Sequence, residues 1–241
     1  MKRLAVLMAM AAEASPILSV LGARALAASN PLPFRWFDAT HNRCEVLVAV
    51  NGRDPRHGVD SIGTEPAVLN THLVIERWKP DLVVSAGTAG GWRRSGGEIG
   101  DVYVSDGRAV HHDRRIAMEG FDEYGIGSYP VVVVREMAAA LGLKTGVVTT
   151  GNSLDESDDD RRMIVASGAA VKDMEAAAVA YVCDLHRVPF MALKAVTDLV
   201  DHHEATASQF TANLTTASRR LAETVIRVVD WCAAREVSDL R

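Results

Sequence analysis

At 241 residues, with a formal net charge of −5 and 48% hydrophobic residues, the chain is long enough for one α/β domain, residues 1–241, and nothing in its composition demands two. Acids and bases are mixed along it, so no basic surface for nucleic acid stands out, and no run approaches the roughly 20 apolar residues of a membrane span. Its three cysteines, Cys44, Cys183 and Cys232, are far apart and odd in number, which fits reduced thiols in a cytoplasm better than a disulfide framework.

Arg3 to Met10 is an apolar run of strand length, followed by Ala11, Ala12 and Glu13 and then a helical pattern through Leu21 with Pro16 in its first turn. Lys2 and Arg3 before the run, and Ala25-Leu26-Ala27 after it, imitate a secretory signal. Glu13 closes the run and Arg24 sits beside the supposed cleavage motif, so a buried first strand is the better account. Glu13 then falls at a strand's carboxyl end, the edge where open α/β sheets place ligands. Asn30 to Asp38 reads as a proline-bearing connection and Glu45 to Val50 as a strand. Asn51 to Gly63 reads as loop, and Glu65 to Trp78 as a helix ended by Lys79-Pro80-Asp81. The strand Leu82 to Ala86 leads into SAGTAGG, Ser85 to Gly91. This reads as a glycine-rich turn whose N–H groups can approach an oxygen-rich ligand, with Thr88 adding a hydroxyl. Its spacing fits neither a dinucleotide fingerprint nor a Walker loop.

Asp101 to Val110 alternates like a strand and leads into His111 and His112. Adjacent histidines on a strand point to opposite faces, here and at His202 and His203, and no further ligands are spaced to complete a metal site. Phe121 to Tyr129 reads as glycine-rich loop, Val132 to Leu141 as a helix and Lys144 to Thr150 as a strand ending in TGNSLD. The acids from Glu156 to Asp160 read as a solvated helix start. Val171 to Val182, VKDMEAAAVAYV, reads as a tightly packed helix with Asp173 and Glu175 opening it. An ionised Glu175 needs hydrogen-bond donors there, which a ligand diol would supply; alternatively it only caps the helix or pairs with Lys172. Val188 to Val196 is a strand that delivers Thr197 and Asp198 to its end, and Thr206 to Ala234 is a long closing helix. The alternation predicts an α/β fold, a three-layer α/β/α sandwich on a mixed, largely parallel sheet.

Glu13, Glu175 and Asp198 fall at element ends that this topology can bring together, alongside Thr88 and Lys194. Two carboxylates with separate roles suit glycosidic hydrolysis, one activating water and one protonating the leaving group, and a third can grip the sugar.

MAMAAEA at Met8 to Ala14, SAGTAGG at Ser85 to Gly91, TGNSLD at Thr149 to Asp155, KDMEAAAVAYV at Lys172 to Val182 and LKAVTDLVD at Leu193 to Asp201 resemble the 5'-methylthioadenosine/S-adenosylhomocysteine nucleosidases. The likeness spans nearly the whole chain. GVDSIGT at Gly58 to Thr64 and HDRRIAMEGFDEYGIG at His112 to Gly127 are most similar to the plant-type branch of that family. The resemblance implies the nucleoside phosphorylase fold, no cofactor or metal, and hydrolysis of the N-glycosidic bond of adenine thionucleosides. It further implies a cytoplasmic homodimer serving methionine salvage. Residue by residue, Glu13 matches the acid that activates water and Asp198 the acid that protonates adenine at N7. Glu175 matches the ligand of the ribose hydroxyls, with Met174 packing on the sugar. Thr88 and Lys194 stand where the family helps to hold the water, and Leu154 where backbone groups read the adenine edge. Met10, Ile62 and Ile116 would line the 5'-alkylthio pocket, and Met118 and Phe121 would complete it from a partner subunit.

Thr88, Lys194 and Leu154 depart from the serine, arginine and phenylalanine often found in bacterial members. Asn152 replaces a usual aspartate, and His202-His203-Glu204 a usual DGDK-like continuation. These changes bear on substrate range, not on the bond cleaved. Three rival readings remain: a phosphorylase of the same fold, which Glu13 beside an anion site opposes; an aminofutalosine nucleosidase, with a larger 5' group; and a nucleoside-binding module without catalysis, which the presence of both acids opposes.

Overall fold

The computed structural model describes residues 1–27, 31–202, 204–233, 235–236 and 239. In chain order these form β1 (Arg3–Met8), α1 (Ala11–Leu21), β2 (Arg24–Ala25), β3 (Arg35–His41), β4 (Cys44–Val50), α2 (Thr64–Trp78), β5 (Leu82–Gly91), β6 (Val102–His111) and α3 (Phe121–Ile126). Then follow β7 (Tyr129–Pro130), α4 (Arg135–Leu141), β8 (Lys144–Thr150), α5 (Asp158–Ser167), β9 (Ala169–Asp173), α6 (Ala176–His186), β10 (Phe190–Leu199) and α7 (Thr206–Ala233).

The strands make one ten-stranded mixed sheet. β1 lies between β4 and β5, parallel to both, and its residues Leu4 to Met8 are all buried, as expected of a strand covered on both faces. β5 continues parallel to β10, β10 is antiparallel to β6, β6 is parallel to β8 and β8 to β9. β9 returns antiparallel to Gly90 and Gly91 of β5, so these strands close a ring. Helices cover both faces. Ile17 of α1, Met137 of α4 and Leu221 of α7 share one apolar cluster, and Val74 of α2 and Val179 of α6 share the other. The expected three-layer α/β/α arrangement is present, with the closure of the sheet added to it.

Several local expectations change. SAGTAGG is no turn: it is the second half of β5, held extended by β10 along its length and by β9 at its end. The segment opening with Val171 is divided. Val171 to Asp173 belong to β9, and the helix begins only at Ala176. Part of the supposed connection from Asn30 to Asp38 is β3, where Trp36, Phe37 and Thr40 have the side chains that strands favour; Asn30 itself lies outside the described residues. Phe121 to Ile126 is helical, because Gly120 and Gly127, at φ 77° and 82°, bound a short helix and do not break it. Helix α4 starts at Arg135, later than Val132. Asp160 is buried against Arg115, not solvated, and the side chains of His203 and Ala234 lie outside the described residues.

Candidate active site

β1 stops at Met8, and the chain turns straight into α1, which puts Glu13 in the helix's first turn and not on the strand itself. β5 carries Thr88 past the same point, and β10, irregular in register between Val196 and Asp198, presents Asp198 beside Gly90. Between β9 and α6, Met174 and Glu175 complete the rim. A cavity of about 320 Å³ opens here, and its walls include Met10, Glu13, Ile62, Thr88, Met174, Glu175 and Asp198. A larger cleft of about 570 Å³ lies on the other side of α1, but Asp60 is its one acid, so chemistry and not volume identifies the site.

Glu13 is 2% exposed. Its Oε1 accepts both the N–H and the hydroxyl of Thr88, each at 2.7 Å, and its Oε2 accepts the Met10 N–H at 3.3 Å. Burial pushes its carboxyl above the usual range, opposed by the Thr88 bonds and the nearby Lys194 charge. Asp198 is buried as well, with its Oδ1 accepting the Thr197 hydroxyl at 2.8 Å. Its carboxyl is also raised by burial, against the Thr197 bond and the charge of Lys172. A Cβ at Gly90 would lie 2.8 Å from Asp198 Oδ2, so that glycine leaves the room the acid occupies.

Glu175 is only half-buried because it faces the cavity, yet protein surrounds it. Burial, and then the charge of Asp173, push its carboxyl up to about 7. Its side chain does not cap α6. The side-chain bond to the helix start comes from Asp173, whose Oδ2 accepts the Ala176 N–H at 2.8 Å, while Glu175 Oε1 accepts the Gly63 N–H at 2.8 Å. Nor does Glu175 pair with Lys172, whose Nζ donates to the carbonyls of Leu154 and Asp155 at 3.1 and 2.9 Å. Both alternatives for Glu175 therefore fail, and its remaining acceptor capacity faces the cavity.

Under the cavity lies Lys194, 1% exposed, its Nζ 2.7 Å from Asp173 Oδ2 and 3.2 Å from Ser85 Oγ. Burial alone would lower its ionisation; the carboxylates of Asp173, Glu175 and Glu13 reverse this and hold the ammonium charged above the ordinary range. A second, much smaller cavity of about 10 Å³ touches Glu13, Ser85, Gly87, Glu175 and Lys194. That is on the order of one water molecule.

Of the residues singled out in the sequence, Met10, Glu13, Ile62, Thr88, Leu154, Met174, Glu175 and Asp198 line the larger cavity, and Lys194 lines the small one. Ile116, Met118 and Phe121 do not line either. The segment after β6 is drawn toward α5 by Arg115, which bonds His112 O and Asp160, and Met118 and Phe121 are 59% and 46% exposed. Lys172, Asp173, Thr197, Ser153 and Phe210 also line the site. Phe210 is absent from the sequence expectations, and its one signal is an aromatic in the polar first turns of α7. Among the described residues no group of three or more His, Cys, Asp or Glu is placed to hold a metal ion, and no helix is long and apolar enough to cross a membrane.

Comparison with known proteins fits this arrangement. The Phosphorylase superfamily profile matches residues 3–230. A 5'-methylthioadenosine nucleosidase of Arabidopsis thaliana is 43% identical over 96% of this chain and 88% of its own length. A 5'-methylthioadenosine/S-adenosylhomocysteine nucleosidase of the same plant is 38% identical over 97% and 93%. The apo structure of Arabidopsis thaliana 5'-methylthioadenosine nucleosidase superposes with a TM-score of 0.97 at 40% identity, covering 99% of this chain and 98% of that one. With the fold, the buried acids and these likenesses in agreement, the chain belongs to the 5'-methylthioadenosine/S-adenosylhomocysteine nucleosidase family of the Phosphorylase superfamily.

Proposed function

We propose that this enzyme hydrolyses the N-glycosidic bond of 5'-methylthioadenosine, releasing adenine and 5-methylthioribose. The observation that carries the choice of water over phosphate is the occupancy of the donors around Glu13. Thr88 donates hydrogen bonds from both its N–H and its hydroxyl to Glu13, and the Lys194 ammonium donates to Asp173 Oδ2 and Ser85 Oγ. An anion arriving there would find its donors engaged by carboxylates and an acid beside it, in a space of about 10 Å³. Water meets no such opposition.

In this reading Glu13, its basicity raised by burial, takes a proton from water as the water oxygen bonds to C1' and the bond from C1' to N9 breaks. Asp198, kept protonated to a higher pH than an exposed aspartate, passes its proton to N7, so adenine leaves neutral. Glu175 accepts the ribose hydroxyls, Met174 packs on the sugar, and the Leu154 loop meets the adenine edge. Lys194 favours the ionised form of both glutamates, and Asp173 opposes that of Glu175. Met10, Ile62 and Phe210 form an apolar 5' end, which supports a methylthio group over a zwitterionic amino-acid tail. The reading extends to a cytoplasmic homodimer serving methionine salvage. Three buried free thiols support the compartment, and exposed Met118, Phe121 and Tyr124 support a partner that closes the 5' pocket.

The test is a product assay on 5'-methylthioadenosine, S-adenosylhomocysteine and aminofutalosine. The specificity constant should be highest for the first. Equal constants for the first two would refute the closed apolar pocket, and binding of all three without turnover would refute catalysis.

A further inference from the structure

Asn152 ties together three segments that carry different parts of the site, its side chain holding Thr64 and its backbone N–H holding Asp113. It stands two residues before Leu154, after the end of β8. Its Oδ1 accepts the Thr64 N–H at 2.9 Å, and its Nδ2 donates to the Thr64 hydroxyl oxygen at 2.9 Å. Its own N–H donates to Asp113 Oδ2 at 2.8 Å, on the segment leading to Ile116. Thr64 opens α2, and the residue before it is Gly63, the donor to Glu175 Oε1. Gly63 has a φ of 98°, and a Cβ there would lie 2.9 Å from Asn152 Oδ1, so the amide and the glycine are packed against one another. Ile62, next along, is in the cavity wall.

We propose that Asn152 is a positioning residue for sugar recognition: by anchoring Thr64 it fixes the Gly63 N–H on Glu175 Oε1 and so sets the direction in which that carboxylate meets the ribose hydroxyls. The inference rests on the nucleosidase reading given above. A hydrogen bond from a backbone N–H favours the ionised carboxylate, the form that accepts two hydroxyl donors. The groups that face Glu175 are Asp173 and Glu13, which oppose its ionisation, and Lys194 and the Gly63 N–H, which favour it. Only the last of these depends on Asn152. An amide also suits the position better than a carboxylate, because Glu65 already accepts from the Thr64 hydroxyl at 3.2 Å and Asp113 lies on the other side. The coupling joins the loop that meets the base to the loop that orders the sugar site.

The experiment compares 5'-methylthioadenosine with its 2'-deoxy analogue in wild type, Asn152→Ala and Gly63→Ala, recording kcat, KM, melting temperature and the pH profile of kcat/KM. Loss of one such bond predicts a fall in kcat/KM of about five- to tenfold for the ribonucleoside, carried mostly by KM, and less than about twofold for the 2'-deoxy analogue. The acid limb should move to higher pH, because Glu175 without its donor ionises later. Gly63→Ala, whose methyl group meets Asn152 Oδ1, should reproduce the pattern independently. Equal losses on both analogues, or an acid limb that stays in place in both variants, would overturn the proposal. A wild type that leaves the ribonucleoside uncleaved would overturn the nucleosidase reading with it, whereas a normal wild type with indifferent variants removes the coupling alone.

Discussion

Replacing Lys194 by methionine keeps the length of the stem and deletes the one ammonium that lies among Glu13, Asp173 and Glu175. In the wild type that ammonium is 2.7 Å from Asp173 Oδ2 and 1% of the residue is exposed, so solvent cannot take over its role. Removing one partner of such a buried pair costs about 3–5 kcal/mol. In a chain of this size each kcal/mol moves Tm by about 2–4 °C, which sets an expected loss of roughly 6–20 °C near pH 8. The sign of the pH dependence follows from the acids left behind. Glu13 and Glu175 already have folded-state values above their ordinary ones, with burial as the main cause, and losing the cation raises them further. Their ionisation opposes folding above those values and ceases to oppose it as pH falls through them, so the deficit should shrink between about pH 8 and pH 5. Lys194 itself, raised in the folded state, stabilises the wild type throughout that window and ceases to do so only in strong alkali. Calorimetric melts of both proteins at the two pH values measure this. A variant within about 2 °C of wild type near pH 8, or one with the same deficit at both pH values, would refute the charge-balance argument.

Three further substitutions separate the roles of the acids. Asp198→Asn should retain nucleoside binding by calorimetry while kcat falls by roughly 10²- to 10⁴-fold, the usual effect of losing a general acid, and turnover near wild type would remove Asp198 from the mechanism. Glu175→Gln should weaken the ribonucleoside more than its 2'-deoxy analogue; equal weakening would detach Glu175 from the sugar. Gly90→Ala places a methyl carbon 2.8 Å from both Asp198 Oδ2 and Val200 Cγ2 and should lower kcat by about tenfold or more through displacement of the acid. An unchanged kcat would mean that the position of Asp198 is less constrained than its packing implies.

How much of this was legible in the chain differs from residue to residue. Strands buried on both faces are written as nearly continuous apolar runs, so Leu4 to Met8 and Val188 to Val196, broken only by Lys194, stand out, and the acids Glu13 and Asp198 beyond them stand out in turn. SAGTAGG misleads because glycine usually marks a turn, whereas here small residues are required inside a strand. A Cβ at Gly91 would crowd Val196 Cγ1 at 3.1 Å, and one at Gly90 would strike Asp198 Oδ2 at 2.8 Å. The division of labour between Asp173 and Glu175, two residues apart, depends on where a strand ends and a helix begins. No spacing rule carries that, nor the fact that Lys194 pairs with Asp173 while Lys172 holds the carbonyls of Leu154 and Asp155. Ile116 rests on family likeness alone and does not reach the cavity, whereas Met118 and Phe121 are expected there only from a partner subunit.

The central claim is that Glu13 admits water and excludes phosphate at the sugar carbon. It is tested most directly by following adenine release from 5'-methylthioadenosine with and without added phosphate while identifying the sugar product. The rate should be indifferent to phosphate, and free 5-methylthioribose should be the product. A strict requirement for phosphate, with 5-methylthioribose 1-phosphate formed, would contradict it.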